Sequence, residues 1–244
     1  MNLLLINITE SKKDYIVGKC IKNDVGVFSA DSGADVHKYL VSKQITHIFI
    51  DLVSKTTDWM EFLKQLRETE DGAKYQLIVM SNRKEREFIQ ALLYLGIVGF
   101  IQPDLAQEKT FEKLDSIMKI SDKRDKRRMH FRVNITPKDD VRINFKPGKI
   151  DKLINARVTD LSIVALAFQL DNPKEYLDFA DNDTIDKVQL KINNRFALLT
   201  IKILKAGPVT VATIVNPSDN ALNLLTQFIF EAMSRLESEA SANQ

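Results

Sequence analysis

The sequence feature that most constrains the fold is a single change in hydrophobic period close to Phe131. Before it, short apolar runs alternate with amphipathic stretches whose apolar residues recur at helical spacing. After it, apolar and polar residues alternate with a period of two, most clearly in Val141–Phe145, as they do in half-buried β-strands. The chain has 244 residues, and domains typically need about 100–150. We therefore predict an α/β domain followed by an all-β domain.

Residues 1–120 have the pattern of a parallel sheet flanked by helices. Five apolar runs are too short for buried helices and are predicted as strands: 3–6, 25–29, 47–52, 76–81 and 99–101. Helical spacing between the runs is marked by Phe62, Leu63 and Leu66, by Phe88, Leu92 and Leu95, and by Phe111, Leu114, Ile117 and Met118. The pattern predicts a doubly wound, five-stranded parallel sheet, with any ligand site at the carboxyl ends of the strands.

Residues 131–244 are patterned as short antiparallel strands followed by one helix. The segments 196–204 and Val209–Val215 are rich in β-branched and apolar residues, and turn residues separate them from their neighbours. This pattern predicts a closed or nearly closed antiparallel β-barrel. Ser218 is placed to cap a C-terminal helix, whose predicted apolar stripe consists of Leu222, Leu225, Ile229, Ala232 or Met233, and Leu236.

The charge balance is nearly even, with 35 Lys and Arg against 33 Asp and Glu. We therefore expect neither nucleic acid nor a membrane as partner, and any preference for anions must be local. Residues 121–130 are strongly charged without apolar periodicity, which predicts a linker between domains at 1–120 and 131–244. The single cysteine, Cys20, excludes an intramolecular disulfide and fits a reducing compartment. Because the short apolar start has no basic leader, we expect a cytoplasmic protein.

Arginines precede the β-rich region and polar residues follow inside it. Arg128 and Arg132, with Arg127 adjacent, can each present a planar fork of donors to a phosphate or to a guanine. Asp160 and Ser162, two positions apart at a predicted strand end, add an acceptor for a base amino group and a small hydroxyl. Together these residues predict a two-part site for a small, planar, doubly charged anion.

The segments RRMHFR and DLS resemble the R-x-x-x-R and [D/N]-x-S-x-x-G signature of PilZ domains, which bind cyclic di-GMP. The resemblance covers about residues 124–238 and implies a barrel followed by a helix. It also implies cyclic di-GMP as the ligand, bound by Arg127, Arg128, Arg132, Asp160, Ser162 and Ala165. Ala165 stands where the family usually has glycine. If that glycine serves a positive φ or a close approach of ligand to backbone, alanine costs about 1–2 kcal/mol and weakens binding without abolishing it.

Residues 1–120 resemble the receiver domain of two-component response regulators. Asp51 ends the third apolar run, where the family has its phosphoacceptor. Ser81 ends the fourth run at the family's Ser/Thr position, and Pro103 follows the fifth. The resemblance implies a signalling role for this half of the chain.

The departures from the receiver family fall on its chemistry. The acidic pair that holds magnesium is replaced by Asn7 and Ile8, and the family's lysine is replaced by Gln102. Phosphoryl transfer to a carboxylate needs a divalent cation and a second cation that stabilises the product. The resemblance therefore implies a vestigial phosphoacceptor site at Asp51, Ser81 and Gln102, with no magnesium expected.

The sequence has no Walker loop, nucleophile elbow or ligand spacing of histidines, so we expect neither an enzyme nor a metal site. We predict a bacterial signalling adaptor that binds cyclic di-GMP and changes its domain arrangement or its binding to an unidentified protein partner. Two alternatives stay open: a nucleotide-independent interaction scaffold with both sites degenerate, and a phosphorylation-driven response regulator with the barrel as output. Receiver domains commonly pair through a surface that here surrounds Tyr94 and Phe100, so a homodimer also stays open.

Overall fold

The computed structural model describes residues 1–53, 58–122, 130–136, 138–147 and 152–242. Within these residues the chain divides into two compact units. The first contains the residues up to 122 together with the end of the last helix from Met233, and the second is His130–Ala232. This division falls where the hydrophobic period changes in the sequence.

The first unit is a parallel sheet of five strands in the order β2-β1-β3-β4-β5. Its strands are β1 (Asn2–Ile6), β2 (Gly26–Ala30), β3 (His47–Asp51), β4 (Gln76–Met80) and β5 (Ile97–Ile101). Its helices are α1 (Glu10–Lys22), α2 (Gly33–Ser42), α3 (Trp59–Glu68), α4 (Arg86–Tyr94) and α5 (Gln107–Asp122). The predicted doubly wound sheet is confirmed.

Strands β3, β4 and β5 are buried along their whole length. Helices that cover both faces of a parallel sheet leave its strands no polar side, which is why these strands appear as continuous apolar runs. Gly99 in β5 lies against α5: a Cβ at this position would come within 2.4 Å of Ile117 Cδ1. Only glycine therefore allows α5 to approach β5 this closely.

Helix α5 extends two residues into the predicted linker, because it ends at Asp122. Ser121 in its last turn is buried, and its hydroxyl lies 2.8 Å from Nε2 of His47 at the start of β3. The other ring nitrogen of His47 lies 2.9 Å from Thr46 Oγ1. This histidine is therefore a satisfied core residue.

The second unit is a closed antiparallel barrel. Its ring is formed by β7 (Val141–Phe145), β8 (Ile154–Leu161), β9 (Ala165–Leu170), β10 (Thr184–Ile192), β11 (Arg195–Lys205) and β12 (Val209–Val215). The strand order around the ring is β8-β7-β10-β11-β12-β9, and β9 pairs back onto β8. The two-residue strand β6 (Val133–Asn134) pairs with the far end of β8. The predicted barrel is confirmed.

Alternating side chains fill the barrel interior, as in other small barrels. Phe145 and Phe168 are both buried, with ring centroids 5.8 Å apart and planes inclined by 73°. Edge-to-face contacts of this kind favour one defined core arrangement.

The C-terminal helix, α6 (Asp219–Ala242), begins at the predicted cap. The Ser218 hydroxyl accepts a hydrogen bond from the backbone N–H of Ala221 at 3.3 Å. The predicted Leu222 is only half-buried, and the side chain of the predicted Leu236 lies outside the described residues. The buried stripe of the helix consists of Ala221, Leu224, Leu225, Phe228, Ile229, Ala232 and Met233. Among the helices that the structure describes, none has the length and apolarity to cross a bilayer.

Candidate functional site

The pairing of β6 with β8 brings the two parts of the predicted anion site together. Val133 pairs with Leu161 and Asn134 pairs with Asp160, so Arg132 emerges beside the end of β8. Its guanidinium Nη1 donates to Asp160 Oδ1 at 3.2 Å. The side chains of Arg132 and Asp160 are 29% and 19% exposed, so the pair is open to solvent on one side.

The Arg132–Asp160 pair leaves binding capacity on both partners. The contact uses one guanidinium nitrogen and one carboxylate oxygen, whereas a guanidinium has five N–H donors in a planar fork. A carboxylate that holds an arginine in one orientation prepares the remaining donors for a second anion. Arg127 and Arg128, the other predicted arginines, lie outside the described residues.

Ser162 closes the turn between β8 and β9 with its own side chain. Its hydroxyl accepts from the backbone N–H of Ala165 at 3.0 Å and donates to the Ala165 carbonyl oxygen at 3.1 Å. The Ser162 backbone N–H donates to the same oxygen at 2.8 Å. Because Ser162 is only 1% exposed, its hydroxyl shapes the turn beside Asp160 in this structure.

Ala165 has an ordinary strand backbone. It begins β9 and pairs with Thr213 of β12. Within the described part of the barrel, positive φ values occur at Asn182, Lys187, Asn193 and Asn216, a set that does not include Ala165. Alanine therefore causes no backbone strain at this position. It could weaken binding only if a ligand had to approach the backbone closely.

Two small side chains lie beside Asp160 on the outer face of the barrel. Asp160 pairs directly with Ala167, and Ala165 lies two residues earlier on the same strand, so the three share one face. The alternate residues Leu166 and Phe168 are fully buried and point inward. Both alanines are nevertheless buried, at 6% and 8% exposed, so little of either methyl group is open to a ligand.

A second arginine, not predicted from the sequence, lies on the same outer face of the barrel. Arg157 of β8 is exposed and pairs with the exposed Gln169 of β9. Since Gln169 follows Ala167 by two residues, both side chains share the outer face.

In the first unit, Asp51 lies where the sequence predicted, at the carboxyl end of β3. It is 7% exposed, and its Oδ1 accepts from the Val53 N–H at 2.8 Å. Burial raises the pKa of this carboxyl, and the Val53 hydrogen bond and the charge of Lys12 oppose the rise. Burial favours the neutral form because a charge loses its hydration there.

The other predicted residues of this edge are already engaged or half-buried. The Ser81 side chain is fully buried, and its hydroxyl accepts from the Arg83 N–H at 3.1 Å. Gln102 is half-buried just beyond β5.

The surface predicted to pair two copies of the chain is only partly exposed, because Tyr94 is 38% exposed whereas Phe100 is only 5% exposed. Phe100 is therefore a core residue, and the expectation that it lies on an interaction surface is wrong.

The residues at this edge do not fit a magnesium ion. Ile8 is 5% exposed within the core, and Asn7 donates its amide to the main-chain carbonyl oxygen of Asp51 at 2.8 Å. Glu10, the nearest acidic residue in sequence, pairs with Lys13 at 2.9 Å. The described residues contain no cluster of three His, Cys, Asp or Glu side chains that could hold a metal. Asp51 is the one carboxylate that the described residues direct to this position, the lower end of the one or two that magnesium sites use.

Lys12 is the residue of this edge that sequence reasoning missed. Its Nζ donates to the Pro103 carbonyl oxygen, just beyond β5, and lies 3.8 Å from Met80 Sδ at the end of β4. Its charge also lowers the pKa of Asp51. Lys12 therefore supplies a cation at this edge, although Gln102 stands where the receiver family has its lysine.

Comparisons with known proteins gave likenesses only among solved structures. No family model matches the chain, and no curated protein matches it. One similar structure is the PilZ domain of YcgR from Escherichia coli, solved with c-di-GMP: 14% identity, 47% of this chain and 97% of that chain covered, TM-score 0.41. Another is the chemotaxis response regulator CheY4 of Vibrio cholerae: 15% identity, 48% and 97% covered, TM-score 0.42. A third is a two-component response regulator from Clostridium difficile: 16% identity, 49% and 96% covered, TM-score 0.42.

Proposed function

We propose that this chain is a cytoplasmic signalling adaptor whose barrel binds cyclic di-GMP. The observation that carries the proposal is the contact of Arg132 with Asp160 across the β6–β8 pairing. It joins the two halves of the predicted site, which are 28 positions apart in sequence. Neither half alone would distinguish a ligand site from a charged surface.

Each proposed site residue has a role that follows from its chemistry. Arg132 binds a phosphate with its remaining donors, and Asp160 orients Arg132 and accepts from a guanine amino group. Ser162 and Ala165 form the turn that holds Asp160 in place. Arg127 and Arg128 would complete the contacts to phosphate and guanine, as the family motif implies.

The relay follows from where the arginines lie in the chain. Arg127 and Arg128 belong to the predicted linker, 121–130, between the proposed domains at 1–120 and 131–244. Ligand capture by this segment would restrict it and so change the domain arrangement or the binding of a protein partner, which includes a second copy of the chain.

A nucleotide-independent scaffold is the second candidate, and one observation favours it. The Ser162 hydroxyl is bonded on both sides to the main chain of Ala165, and the charge of Arg132 is already paired with Asp160. In a scaffold, where these groups already bond to one another, their role is to stabilise the barrel and not to bind a ligand. A phosphorylation-driven response regulator is disfavoured by the misfit of magnesium at Asp51.

Isothermal titration of the full chain with cyclic di-GMP separates these candidates. We expect a dissociation constant near 1 μM, about −8 kcal/mol, and no comparable heat with cyclic di-AMP, which lacks the guanine amino group. Arg132→Ala should lose most of the affinity. The matched control is Arg142→Ala, because Arg142 forms a 2.5 Å pair with Asp171 on the same barrel. Absence of heat with wild-type protein at tens of micromolar ligand would favour the scaffold.

A further inference from the structure

In the first unit, one lysine side chain contacts residues at or beyond the ends of two neighbouring strands, and its charge acts on a carboxyl at the end of a third. The ammonium group of Lys12 donates to the carbonyl oxygen of Pro103 beyond β5 and lies near the sulfur of Met80 in β4. Its charge also acts on the carboxyl of Asp51 in β3. The described residues at this edge contain no cluster of three side chains that could hold a metal, whereas Lys12 supplies a positive charge from the chain itself.

The position of Lys12 in its own helix supports a specific role. Lys12 is the third residue of α1, which begins at Glu10. A helix N-terminus carries partial positive charge, so a lysine in the first turn is unfavourable unless a partner compensates it. The neighbouring Lys13 is compensated by Glu10 at 2.9 Å. Lys12 instead extends to the strand ends, where its ammonium group donates to the Pro103 carbonyl oxygen.

We propose that Lys12 is a built-in cation that takes the place of a divalent metal at the Asp51 edge of the first sheet. Its ammonium group joins the end of β4 to the chain beyond β5 without a metal, and its charge offsets that of the Asp51 carboxylate. A tethered cation cannot dissociate or exchange, so this unit keeps its form without magnesium or a phosphate donor. Lys12 is a positioning residue, and this role does not depend on nucleotide binding by the barrel.

A double-mutant cycle on the full chain tests the coupling between Lys12 and Asp51. The readout is Trp59 fluorescence during urea unfolding, because Trp59 is the only tryptophan and is buried in α3 of the first unit. Lys12→Met keeps the side-chain length and removes the charge, so it should lower the unfolding midpoint. Most of this drop should disappear in an Asp51→Asn background, where no buried carboxylate needs compensation. Lys12→Arg should retain most of the wild-type midpoint.

The matched control is Lys13→Met, at the adjacent lysine of the same helix turn. Lys13 pairs with Glu10, whose side chain is 75% exposed, so its loss should show no coupling to Asp51. A Lys12→Met effect that is unchanged by Asp51→Asn would overturn the proposal, because Lys12 would then act only through packing.

A magnesium titration of wild-type protein gives a second and independent test that does not require any variant to fold. Amide resonances of Asp51, Leu52 and Ser81 should not shift when magnesium is added in millimolar excess, because the chain's own cation occupies the edge. Saturable shifts confined to these residues would show that a metal binds beside Asp51, and the proposal would fail.

Discussion

Arg132 and Asp160 are 28 positions apart in the sequence, yet their side chains meet at 3.2 Å across the pairing of a two-residue strand with β8. This contact places one cation and one anion beside the turn between β8 and β9. A partly exposed ion pair contributes little to stability, about 0–1 kcal/mol. Its location and its remaining donors therefore matter more than its strength.

Removing the guanidinium should weaken ligand binding far more than folding. We expect Arg132→Ala to cost roughly 1.5–3 kcal/mol of binding free energy, as hydrogen bonds to charged groups usually do. Arg132→Lys should also weaken binding, since an ammonium cannot form the planar fork. Calorimetry with cyclic di-GMP measures both effects. An affinity within error of wild type for Arg132→Ala would mean that the ligand contacts a different arginine.

Glycine at position 165 should not improve the site. Because the φ of Ala165 is not positive, Ala165→Gly relieves no strain, and it should destabilise the barrel by roughly 0.5–1 kcal/mol through the entropy of the unfolded chain. Affinity for cyclic di-GMP should change little. A marked gain in affinity would show that the ligand approaches the backbone so closely that the methyl group obstructs it.

The Ser162 hydroxyl should contribute measurably to the stability of the barrel. Ser162→Ala removes the acceptor of the buried Ala165 N–H, and a buried donor left without a partner costs roughly 1–3 kcal/mol. Calorimetric unfolding of the full chain should show this loss in the barrel's transition. Ser218→Ala, which removes a helix cap instead, should lower the stability by the amount usual for a lost cap and serves as the comparison. An unchanged transition for Ser162→Ala would mean that water or another group replaces the hydroxyl.

The sequence predicted the architecture because both units have strong periodic signals. Apolar runs and helical spacing correspond to the five-stranded sheet, and the period of two corresponds to the barrel. The motif order also placed Arg132 and Asp160 in one site. The expectation came from the motif resemblance, because β6 and β8 are not consecutive strands and strand order alone would not have predicted their pairing.

Side-chain direction explains what the sequence could not predict. Lys12 and Lys13 are adjacent and chemically identical, but a helix turns by about 100° per residue. This rotation directs Lys12 to the strand ends and Lys13 to Glu10. Ser162 likewise appeared available to a ligand in the sequence, whereas the turn directs its hydroxyl to Ala165. Such orientations depend on backbone geometry that a motif does not encode.

Burial of Asp51 should make the stability of the first unit depend on pH. The folded-state pKa of this carboxyl is raised, chiefly by burial, above its value in an unfolded chain. The folded state then holds the proton to higher pH than the unfolded state does. The stabilisation by protonated Asp51 is complete below the unfolded pKa and is lost as pH rises through the raised folded pKa.

Asp51→Asn tests this dependence, because asparagine keeps an acceptor for the Val53 N–H and cannot ionise. The variant should have a higher urea midpoint than wild type at neutral pH, and the difference should shrink as the solution is acidified towards the unfolded pKa, near about 4. Trp59 fluorescence measures the midpoints. Asp71→Asn is the control, since the Asp71 side chain is 69% exposed. Parallel pH profiles for wild type and Asp51→Asn would contradict the prediction.

Phosphate donors should leave the first unit unchanged. Only Asp51 among the predicted magnesium positions offers a carboxylate, while Ile8 is in the core and Asn7 bonds to the Asp51 main chain. We expect such a site to bind magnesium too weakly to neutralise an incoming phosphoryl group. Incubation with acetyl phosphate or beryllofluoride and magnesium should alter neither the mass of the protein nor the magnetic resonance spectrum of this unit. Asp51→Asn should also keep the wild-type affinity for cyclic di-GMP. A stable acyl phosphate that disappears in Asp51→Asn would contradict this prediction and favour the phosphorylation-driven alternative, because Asp51 would then be a working phosphoacceptor.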